Sequence, residues 1–295
     1  MAVKKMLFIV NPCAGMRRVN RYMVDILDIF NRGGYEVVTY ITAQRGDCAR
    51  IAREKASQMD LVVCAGGDGT FNEMITGVLD SGADVPVGYI PCGSTNDFAS
   101  SLHLPTNVVK AARTIVDGTP QALDVGRFGS RYFSYVASFG AFTRASYATP
   151  QNVKNALGHM AYLLEGIQEL SQLRNEHVRI ELEDREIEGD FLFGAVSNST
   201  SVGGILTLDP KQVDMSDGMF ELLLVRMPKD LGELHECIVA LQKQKYNCAV
   251  ITFVTARKLR ITANPEMIWT LDGEREDGHE TVVVENLHHA IRLMK

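Results

Sequence analysis

The residues best suited to chemistry lie in a glycine-rich stretch, Gly66-Gly67-Asp68-Gly69-Thr70, between an apolar run and a helical pattern. Glycines let the backbone take positive φ and come close to a ligand. A helix N-terminus offers free N–H groups to an anion, so the stretch suits the phosphates of a nucleotide. Asp68 does not fit a bare anion pocket; it would hold a metal ion or take a proton from an attacking hydroxyl. The alternative is a turn that only reverses the chain.

The residues after this turn predict where a helix begins. Thr70 and Glu73 have the Thr-x-x-Glu spacing of a capping box, in which the two side chains bind backbone N–H groups of the first turn. Phe71, Met74 and Ile75 then follow at helical spacing. We therefore expect a helix that starts at this turn and is capped by Thr70.

Two further loops resemble this turn in position and composition. Residues 11–15 and 93–97 each follow an apolar, strand-like run and carry hydrogen-bonding side chains. Such loops meet along one edge of a parallel sheet. Ser94, Thr95, Asn96 and Asp97 either cap a helix in the ordinary way or reach a nucleotide and a metal-bound water. Neither a P-loop nor a complete dinucleotide fingerprint is present.

Two acidic turns stand out in the second half of the chain. Asp272-Gly273-Glu274 ends an apolar strand and predicts either a hairpin turn or a pair of catalytic carboxylates. Residues 214–219 predict either a turn or an oxygen-rich cage for a hard cation such as Mg²⁺. Spacing alone leaves both alternatives open at both places.

The wider pattern predicts two domains. Residues 1–124 alternate strands and helices, which favours a mostly parallel, layered α/β domain. Strands are predicted at 6–10, 35–41, 61–65 and 87–90, with helices at 17–32, 46–57, from 98 and at 107–117. Residues 125–295 predict an antiparallel β domain whose last residues are a candidate for returning to the first domain. Its predicted strands are 124–128, 131–139, 178–183, 188–197, 219–225, 251–253, 258–262, 267–271 and 281–285, with helices at 153–173 and 231–244. We expect the domains to abut and leave a cleft.

Composition narrows the class of protein. The chain has 295 residues, 46% of them hydrophobic, and a formal net charge of −6, which argues against broad nucleic-acid binding and polybasic membrane adhesion. Its six cysteines lack zinc-site spacing and indicate reduced core residues of a cytoplasmic protein. The seven scattered histidines suggest no metal role. No run predicts a signal or transmembrane segment.

The ordered motifs resemble those of one known family. They are Gly66 to Thr70 with Asn72-Glu73, then Pro91-x-Gly93-Ser94-Thr95-Asn96-Asp97-Phe98-Ala99, then Leu271-Asp272-Gly273-Glu274, supported by Asn11-Pro12, Leu123 to Gly126, Ser146-Tyr147-x-Thr149-Pro150 and Asp217-Gly218. The chain resembles the diacylglycerol kinase catalytic family nearly end to end, and most closely the soluble bacterial lipid kinases. The resemblance implies a Rossmann-like first domain and a β-sandwich second domain.

The resemblance also implies site residues. Those expected to bind ATP are Asn11, Pro12, Cys13, Ala14, Gly15, Thr42, Gly66, Gly67, Asp68, Gly69, Thr70, Phe71, Asn72, Glu73 and Ser94. A structural Mg²⁺ would be held by the carbonyls of Asp214 and Met219 and the carboxylate of Asp217. A network of carboxylates and water would run from that ion toward Asp68, Asp97 and Asp124. The general base would be Asp272 or Glu274, or else Asp68, as related sphingosine kinases suggest.

The implied reaction is ATP- and Mg²⁺-dependent phosphorylation of a lipid hydroxyl, most simply diacylglycerol to phosphatidic acid. It implies transient contact with the inner face of the membrane, no nucleic-acid partner and, by analogy with bacterial relatives, a homodimer. Two alternatives stay open. An NAD kinase shares the Gly-Gly-Asp-Gly-Thr turn and the two-domain plan, and a catalytically silent nucleotide- or lipid-binding regulator could use the same scaffold.

Overall fold

The computed structural model of the chain describes residues 3–140, 175–202, 206–246 and 248–295. The chain forms two compact units, one of Met1–Val125 with His288–Lys295 and the other of Gly126–Leu287. The helix predicted at 153–173 and the motif at 146–150 lie outside the described residues. Of the helices that are described, none is both long and apolar enough to span a membrane.

The first unit is a parallel sheet with helices. Its strands are β1 (Lys4–Val10), β2 (Tyr35–Ile41), β3 (Leu61–Gly66) and β4 (Val87–Pro91). Its helices are α1 (Arg18–Arg21), α2 (Met23–Arg32), α3 (Asp47–Lys55), α4 (Asp68–Ser81), α5 (Asp97–Ser101) and α6 (Val108–Asp117). The strand order is β2-β1-β3-β4, with every neighbouring pair parallel. The predicted α/β class is confirmed.

The central strands β1, β3 and β4 are apolar because they are buried. The whole of β3 and β4 is buried, and so are the last five residues of β1. Strands covered on both faces read as continuous apolar runs, which is the pattern the sequence has here. Phe8 of β1 packs edge-on against Phe30 of α2, with ring centroids 5.3 Å apart. This contact packs α2 against the sheet below the loops.

The register of the parallel strands brings their carboxyl ends level. Val10, the last residue of β1, lies opposite Ile41 of β2 and Ala65 of β3. Gly66 of β3 lies opposite Pro91 of β4. The loops that follow β1, β3 and β4 therefore start side by side at one edge of the sheet.

The helix predicted over residues 17–32 is interrupted. A 3₁₀ turn at Ala14–Arg17 leads into α1, and Tyr22, with φ −113° and ψ 11°, separates α1 from α2. Arg17 itself is left-handed, with φ +62°. The apolar spacing continues across the break because residues of both helices are buried, among them Val19 and Ile26. Hydrophobic periodicity alone therefore predicted one helix where there are two.

The second unit is built of antiparallel strands. They are β6 (Arg131–Phe133), β7 (Val136–Gly140), β8 (Glu176–Glu181), β9 (Glu186–Ser197), β10 (Ser201–Val202), β11 (Leu206–Thr207), β12 (Phe220–Arg226), β13 (Ile251–Ala256), β14 (Lys258–Ala263), β15 (Trp269–Leu271) and β16 (Glu274–Glu276), with helix α7 (Leu231–Gln242). The long strand β9 pairs with β7, β8 and β12. The predicted antiparallel β-sandwich class is confirmed.

Two strands belong to both units. β5 (Pro120–Phe128) leaves the first unit after Val125, and β17 (Thr281–Met294) returns to it at His288. β5 pairs with β17, and the far end of β17 lies parallel to β4 through Leu293 and Val87. β17 is thus 14 residues long, whereas the sequence predicted a strand only at 281–285. The prediction was too short because polar residues such as Asn286 and His288 interrupt the apolar pattern.

The core of the second unit is aromatic. Trp269 is fully buried, and its ring lies 4.9 Å from the ring centroids of both Phe128 and Phe139. Burial of aromatic rings supplies a large share of core stability. This packing also fixes β15, the strand that leads into the acidic hairpin turn.

A close contact between α3 and α4 gives a test of the first unit. A methyl group added at Gly77 of α4 would overlap the carbonyl oxygen of Ala49 and lie 2.7 Å from the Cβ of Ala52. Gly77→Ala gains about 1 kcal/mol of helix propensity but overpacks two helices, which typically costs about 1–3 kcal/mol. We therefore expect a net loss in the free energy of unfolding, measured by urea denaturation.

The exposed residue Asp80 on the same helix provides the control. Asp80→Ala gains helix propensity without a new contact, so it should leave stability unchanged or slightly raised. A Gly77→Ala protein as stable as Asp80→Ala would contradict the close packing of α3 and α4.

Candidate functional site

Three loops meet in direct backbone contact at the carboxyl edge of the parallel sheet. A Cβ on Gly93, after β4, would lie 2.7 Å from the Cα of Gly67, after β3. A Cβ on Gly15, after β1, would overlap the carbonyl oxygen of Cys92. The three loops singled out in the sequence therefore form one surface, and glycine is needed because each backbone touches the next.

The glycines differ in the reason they are required. Of the described glycines with positive φ, Gly15 is the one in these three loops, at +50°. Gly66 and Gly67 do not have positive φ, so the expectation of left-handed backbone in the central turn is wrong. Gly66 instead lies against the side chain of Thr70, and Gly67 against Gly93. Close approach, rather than backbone conformation, therefore disfavours a side chain: a Cβ would lie 2.4 Å from Thr70 at Gly66 and 3.3 Å from Gly93 at Gly67.

The capping box predicted from Thr70 and Glu73 is also wrong. Helix α4 begins at Asp68 with Gly67 as its N-cap, and no side chain caps it. The Thr70 hydroxyl accepts a hydrogen bond from Asn11 Nδ2 at 3.1 Å. Glu73 accepts one from the backbone N–H of Gly46 at 2.8 Å. Because α4 begins two residues before Thr70, Thr70 and Glu73 lie within the helix rather than at the positions of a capping box, and their side chains bind neighbouring loops.

The loop after β4 is held by a left-handed asparagine. Asn96 has φ +55°, its Oδ1 accepts the backbone N–H of Gly93 at 2.8 Å, and its Nδ2 donates to the Gly93 carbonyl at 2.9 Å. Asparagine is one of the few non-glycine residues that adopt this conformation readily. Ser94, between them, is exposed at the surface of the loop. The sequence placed Asn96 in the loop but did not predict this positioning role.

Asp68 and Asp97 are brought together at the starts of α4 and α5. The backbone N–H of Asp97 donates to Asp68 Oδ2 at 3.0 Å. Negative charge is favourable at a helix N-terminus, and the same position favours a bound anion. A carboxylate and a phosphate can share this edge when a cation lies with them.

The other residues predicted to bind ATP have distinct surroundings. Phe71 is buried and stacks on Phe98 with ring centroids 4.5 Å apart, so its side chain belongs to the core. Cys13 is exposed, and its backbone N–H donates to Asn11 Oδ1 at 3.0 Å. The backbone N–H of Thr42 donates to the Val10 carbonyl at 2.9 Å, which places Thr42 beside the first loop. Pro12, Ala14, Gly69 and Asn72 lie within the loops or the first turns of α4 and are partly buried.

The cysteines below the loops are buried, which lowers the reactivity expected of their thiols. The predicted core position is correct for five of the six, since all but Cys13 are buried. Burial raises the pKa of the Cys92 thiol to about 11 and raises that of Cys48 further. A thiol with so high a pKa stays protonated at neutral pH and reacts slowly.

In the second unit, Asp272 and Gly273 form a two-residue hairpin turn between β15 and β16. Both residues have positive φ, +49° and +81°, as a type I′ turn requires. The Asp272 carboxylate accepts backbone N–H groups from Ser134, from Tyr135 at 3.0 Å and from Val136 at 3.1 Å. These bonds explain why the strand predicted at 131–139 is divided into β6 and β7.

Glu274 has different surroundings from Asp272 although only one residue separates them. Asp272 is 6% exposed, whereas the side chain of Glu274 is 38% exposed. Arg131 Nη2 lies 3.4 Å from Glu274, and the same guanidinium also pairs with Glu276. Glu274 is thus the carboxylate of this hairpin that a ligand could reach.

The loop predicted to hold a structural cation is rich in oxygen atoms. Asp214 Oδ1 accepts the backbone N–H and the hydroxyl of Ser216, Asp217 Oδ1 accepts the N–H of Met219, and Gly218 is left-handed. These bonds hold the loop in a tight turn and set Met219 next to β12.

A buried glutamate beside this loop is consistent with a cation site. Glu221 of β12 is 1% exposed, and among the described residues its Oε2 has no hydrogen-bond partner. Burial first, and then Asp217 and Asp214, raise the pKa of Glu221 to about 8. Crowded carboxylates with an unsatisfied buried oxygen are what a divalent cation would relieve, so these residues fit Mg²⁺. Glu221 was missed, although it is the one charged residue in the apolar run Phe220–Val225.

Asp124 lies in β5 and is completely buried. Its Oδ1 accepts the backbone N–H of His289 at 2.8 Å and lies 3.1 Å from Nδ1 of His288. The partners described for Asp124 are therefore histidines of β17, which the sequence did not predict. The network proposed to link it with Asp68 and Asp97 stays a prediction.

Comparisons with known proteins agree on one family. Residues 5–128 match the family described as "Diacylglycerol kinase catalytic domain", and residues 136–295 match "YegS C-terminal NAD kinase beta sandwich-like domain". A diacylglycerol kinase of Bacillus subtilis (strain 168) is 32% identical over 92% of this chain and 90% of its own. One from Staphylococcus epidermidis (strain ATCC 12228 / FDA PCI 1200) is 33% identical over 92% and 86%.

Solved structures support the same fold. A crystal structure of a diacylglycerol kinase from Bacillus anthracis str. Sterne is 21% identical, with a TM-score of 0.75 over 100% of this chain and 97% of that one. A second structure from the same organism reaches a TM-score of 0.81 at 22% identity, over 100% and 98% of the two chains.

The bonds to Asp272 predict a stability difference within the hairpin turn. Asp272→Asn keeps a residue that tolerates positive φ but removes the carboxylate that accepts three backbone N–H groups. Because hydrogen bonds to charged groups contribute about 1.5–3 kcal/mol, we expect a loss of about 2 kcal/mol in the free energy of unfolding. Asp272→Ala should cost about 1 kcal/mol more, since alanine is strained at positive φ.

Glu274→Gln is the matched control, because a half-exposed ion pair contributes about 0–1 kcal/mol. Urea denaturation of the three variants measures the differences. If Asp272→Asn were as stable as Glu274→Gln, the carboxylate would not be holding β6 and β7.

Proposed function

This chain belongs to the diacylglycerol kinase family of lipid kinases, and we propose that it transfers the γ-phosphoryl group of ATP to the hydroxyl of diacylglycerol, forming phosphatidic acid. The observation that carries the proposal is the contact of the three glycine loops beside the N-terminus of α4, which carries Asp68. The relatives named diacylglycerol kinase support the acceptor.

We assign ATP to the loop edge of the first unit. Backbone N–H groups at the start of α4 suit phosphate oxygens, and the absence of side chains at Gly15, Gly67 and Gly93 lets phosphates approach the backbone closely. Asn11 and Glu73 keep neighbouring loops in place through the bonds to Thr70 and Gly46. Asp68 would lie beside the phosphates, where it can hold a nucleotide-bound Mg²⁺.

We propose Glu274 as the general base and Asp272 as the residue that positions it. A base must reach the hydroxyl whose proton it takes. The Asp272 carboxylate is buried and accepts three backbone N–H groups, whereas Glu274 is half-exposed on the same hairpin. We assign Asp68 a role at the phosphates. Each of the three carboxylates that the resemblance offered as the general base thus has a separate proposed role.

Two Mg²⁺ roles belong to the proposal. An ion carried with ATP would neutralise charge on the phosphates, which is the main chemistry a metal supplies in phosphoryl transfer. A structural ion would be held in the second unit by Asp217 and by the carbonyls of Asp214 and Met219. The buried and unsatisfied Glu221 oxygen supports that second site.

Diacylglycerol carries two long acyl chains and resides in a bilayer, so the enzyme must meet it at a membrane surface. We propose peripheral contact during the reaction. The exposed large apolar side chains include Ile41, at the end of β2 beside Thr42, and Tyr22 and Val24 around the start of α2. These are the first positions to test by changing to serine in a vesicle-binding assay.

Transfer of labelled phosphate from ATP to lipids in mixed micelles tests the reaction. We expect label in phosphatidic acid that requires Mg²⁺, and a rate lowered by about 10²–10⁴-fold in Glu274→Gln, because that is what general-base catalysis contributes. Asp68→Asn should also lose most of the rate.

Glu276→Gln is the control for Glu274→Gln, because Glu276 pairs with the same Arg131 but is not assigned to proton transfer. It should keep most of the activity. Equal loss in both variants would mean that the ion pair, and not a base, is what matters. Label in NADP when NAD is offered, or in no product, would overturn the lipid acceptor.

ATP binding has a test independent of turnover. Cys13 is exposed within the first loop while the other five thiols are buried, so a thiol reagent should label Cys13 first. At an ATP concentration about ten times its Kd, labelling should slow by about tenfold, since only the unliganded tenth reacts.

Cys13→Ser should abolish the fast labelling, and adenosine, which lacks phosphates, should protect less than ATP. Labelling that is indifferent to ATP would place the nucleotide elsewhere.

A further inference from the structure

Two consecutive histidines of β17 lie on the same side of the strand. In a regular strand, neighbouring side chains point to opposite faces. His288 and His289 instead stack, with ring centroids 3.6 Å apart and 28° between ring planes. The reason is the left-handed backbone of His289, with φ +53°, inside a 14-residue strand. A non-glycine residue in this conformation is strained, and such strain is concentrated at functional sites.

A buried carboxylate completes the group. Asp124 of β5 is 0% exposed, and its Oδ1 lies 3.1 Å from Nδ1 of His288 and accepts the backbone N–H of His289. One ligand atom from each of the three side chains lies within 4.8 Å of the other two. Within the described parts of the chain, these three residues form a group of histidine and acidic side chains whose ligand atoms lie close enough together to hold one metal ion.

The separation of one ligand pair is close to that in a transition-metal site. Zinc bonds of about 2.0–2.1 Å to nitrogen and oxygen place tetrahedral ligands about 3.3 Å apart. The 3.1 Å separation of Asp124 Oδ1 and His288 Nδ1 is close to that value. We propose that Asp124, His288 and His289 bind a divalent transition-metal ion of the Zn²⁺ class, with water as the fourth ligand.

The donor set selects the ion. Two imidazoles and one carboxylate favour Zn²⁺, Co²⁺ or Ni²⁺, whereas Mg²⁺ prefers oxygen ligands and retains its waters. The site is therefore chemically distinct from the oxygen-rich Asp214 to Met219 loop in the other unit. Both imidazoles are exposed, so an ion can enter from solvent, while the buried carboxylate supplies negative charge. The bound ion would join β5 to β17 within the first unit.

Cobalt titration of the full-length chain tests the proposal. Co²⁺ replaces Zn²⁺ and gives a strong visible absorption band when it is tetrahedral, and the titration is made in Cys13→Ser to remove the one exposed thiol. We expect one Co²⁺ per chain, displaced by Zn²⁺ and unaffected by a large excess of Mg²⁺.

The variants separate ligation from structure. His289→Asn keeps a residue that tolerates positive φ, and His288→Gln keeps a polar side chain. Each substitution should weaken Co²⁺ binding by at least about tenfold, because even the loss of a residue that only hydrogen-bonds to a ligand lowers metal affinity by about 10–100-fold. The double variant should abolish the absorption band. His177→Ala is the control, because His177 also contacts two carboxylates, Asp190 and Glu188, in the second unit. It should bind Co²⁺ like the parent.

No visible band with the parent chain, or unchanged affinity in the folded double variant, would overturn the proposal. Either result would mean that the three side chains only hydrogen-bond β5 to β17. Circular dichroism of each variant establishes that it is folded, so that a loss of the band reports on the ligands.

Discussion

The first unit depends on the contact between backbones at the edge of its parallel sheet. Gly67 and Gly93 lie so close that a Cβ on Gly93 would be 2.7 Å from the Cα of Gly67, and a Cβ on Gly15 would overlap the carbonyl oxygen of Cys92. Strand register starts these loops at one level. The phosphate site that we propose at this edge therefore depends on the register of the sheet and on the absence of a Cβ at Gly15 and Gly93.

The elements of this unit were predictable because their signals are local. β2 was predicted with its full bounds from its β-branched and aromatic residues. β3 and β4 end one residue beyond the prediction, since buried strands bounded by turns are clear in the sequence. The roles of Thr70 and Glu73 were not predictable in the same way. Their spacing fits a capping box, yet each binds a loop distant in sequence, and no local pattern contains that information.

The acidic hairpin shows the same limit at the candidate site. Asp272-Gly273-Glu274 was interpreted either as a hairpin turn or as a pair of catalytic carboxylates, and the type I′ geometry of Asp272 and Gly273 bears out the turn. What separates Asp272 from Glu274 is the presence of three N–H groups from residues 134–136, which lie over 130 positions earlier in the chain. Two carboxylates that look equivalent in sequence are therefore a structural anchor and an accessible group.

The histidines of β17 extend this argument to backbone conformation. His288-His289 reads as a polar interruption, and a strand interpretation would point the two rings in opposite directions. One left-handed residue places both rings on the same side as buried Asp124. His288 Nδ1 and the backbone N–H of His289 both contact the Asp124 carboxylate, and these contacts connect β5 to β17. The metal ion that we propose would use the same arrangement, because it places one ligand atom of each imidazole within 4.8 Å of the buried carboxylate.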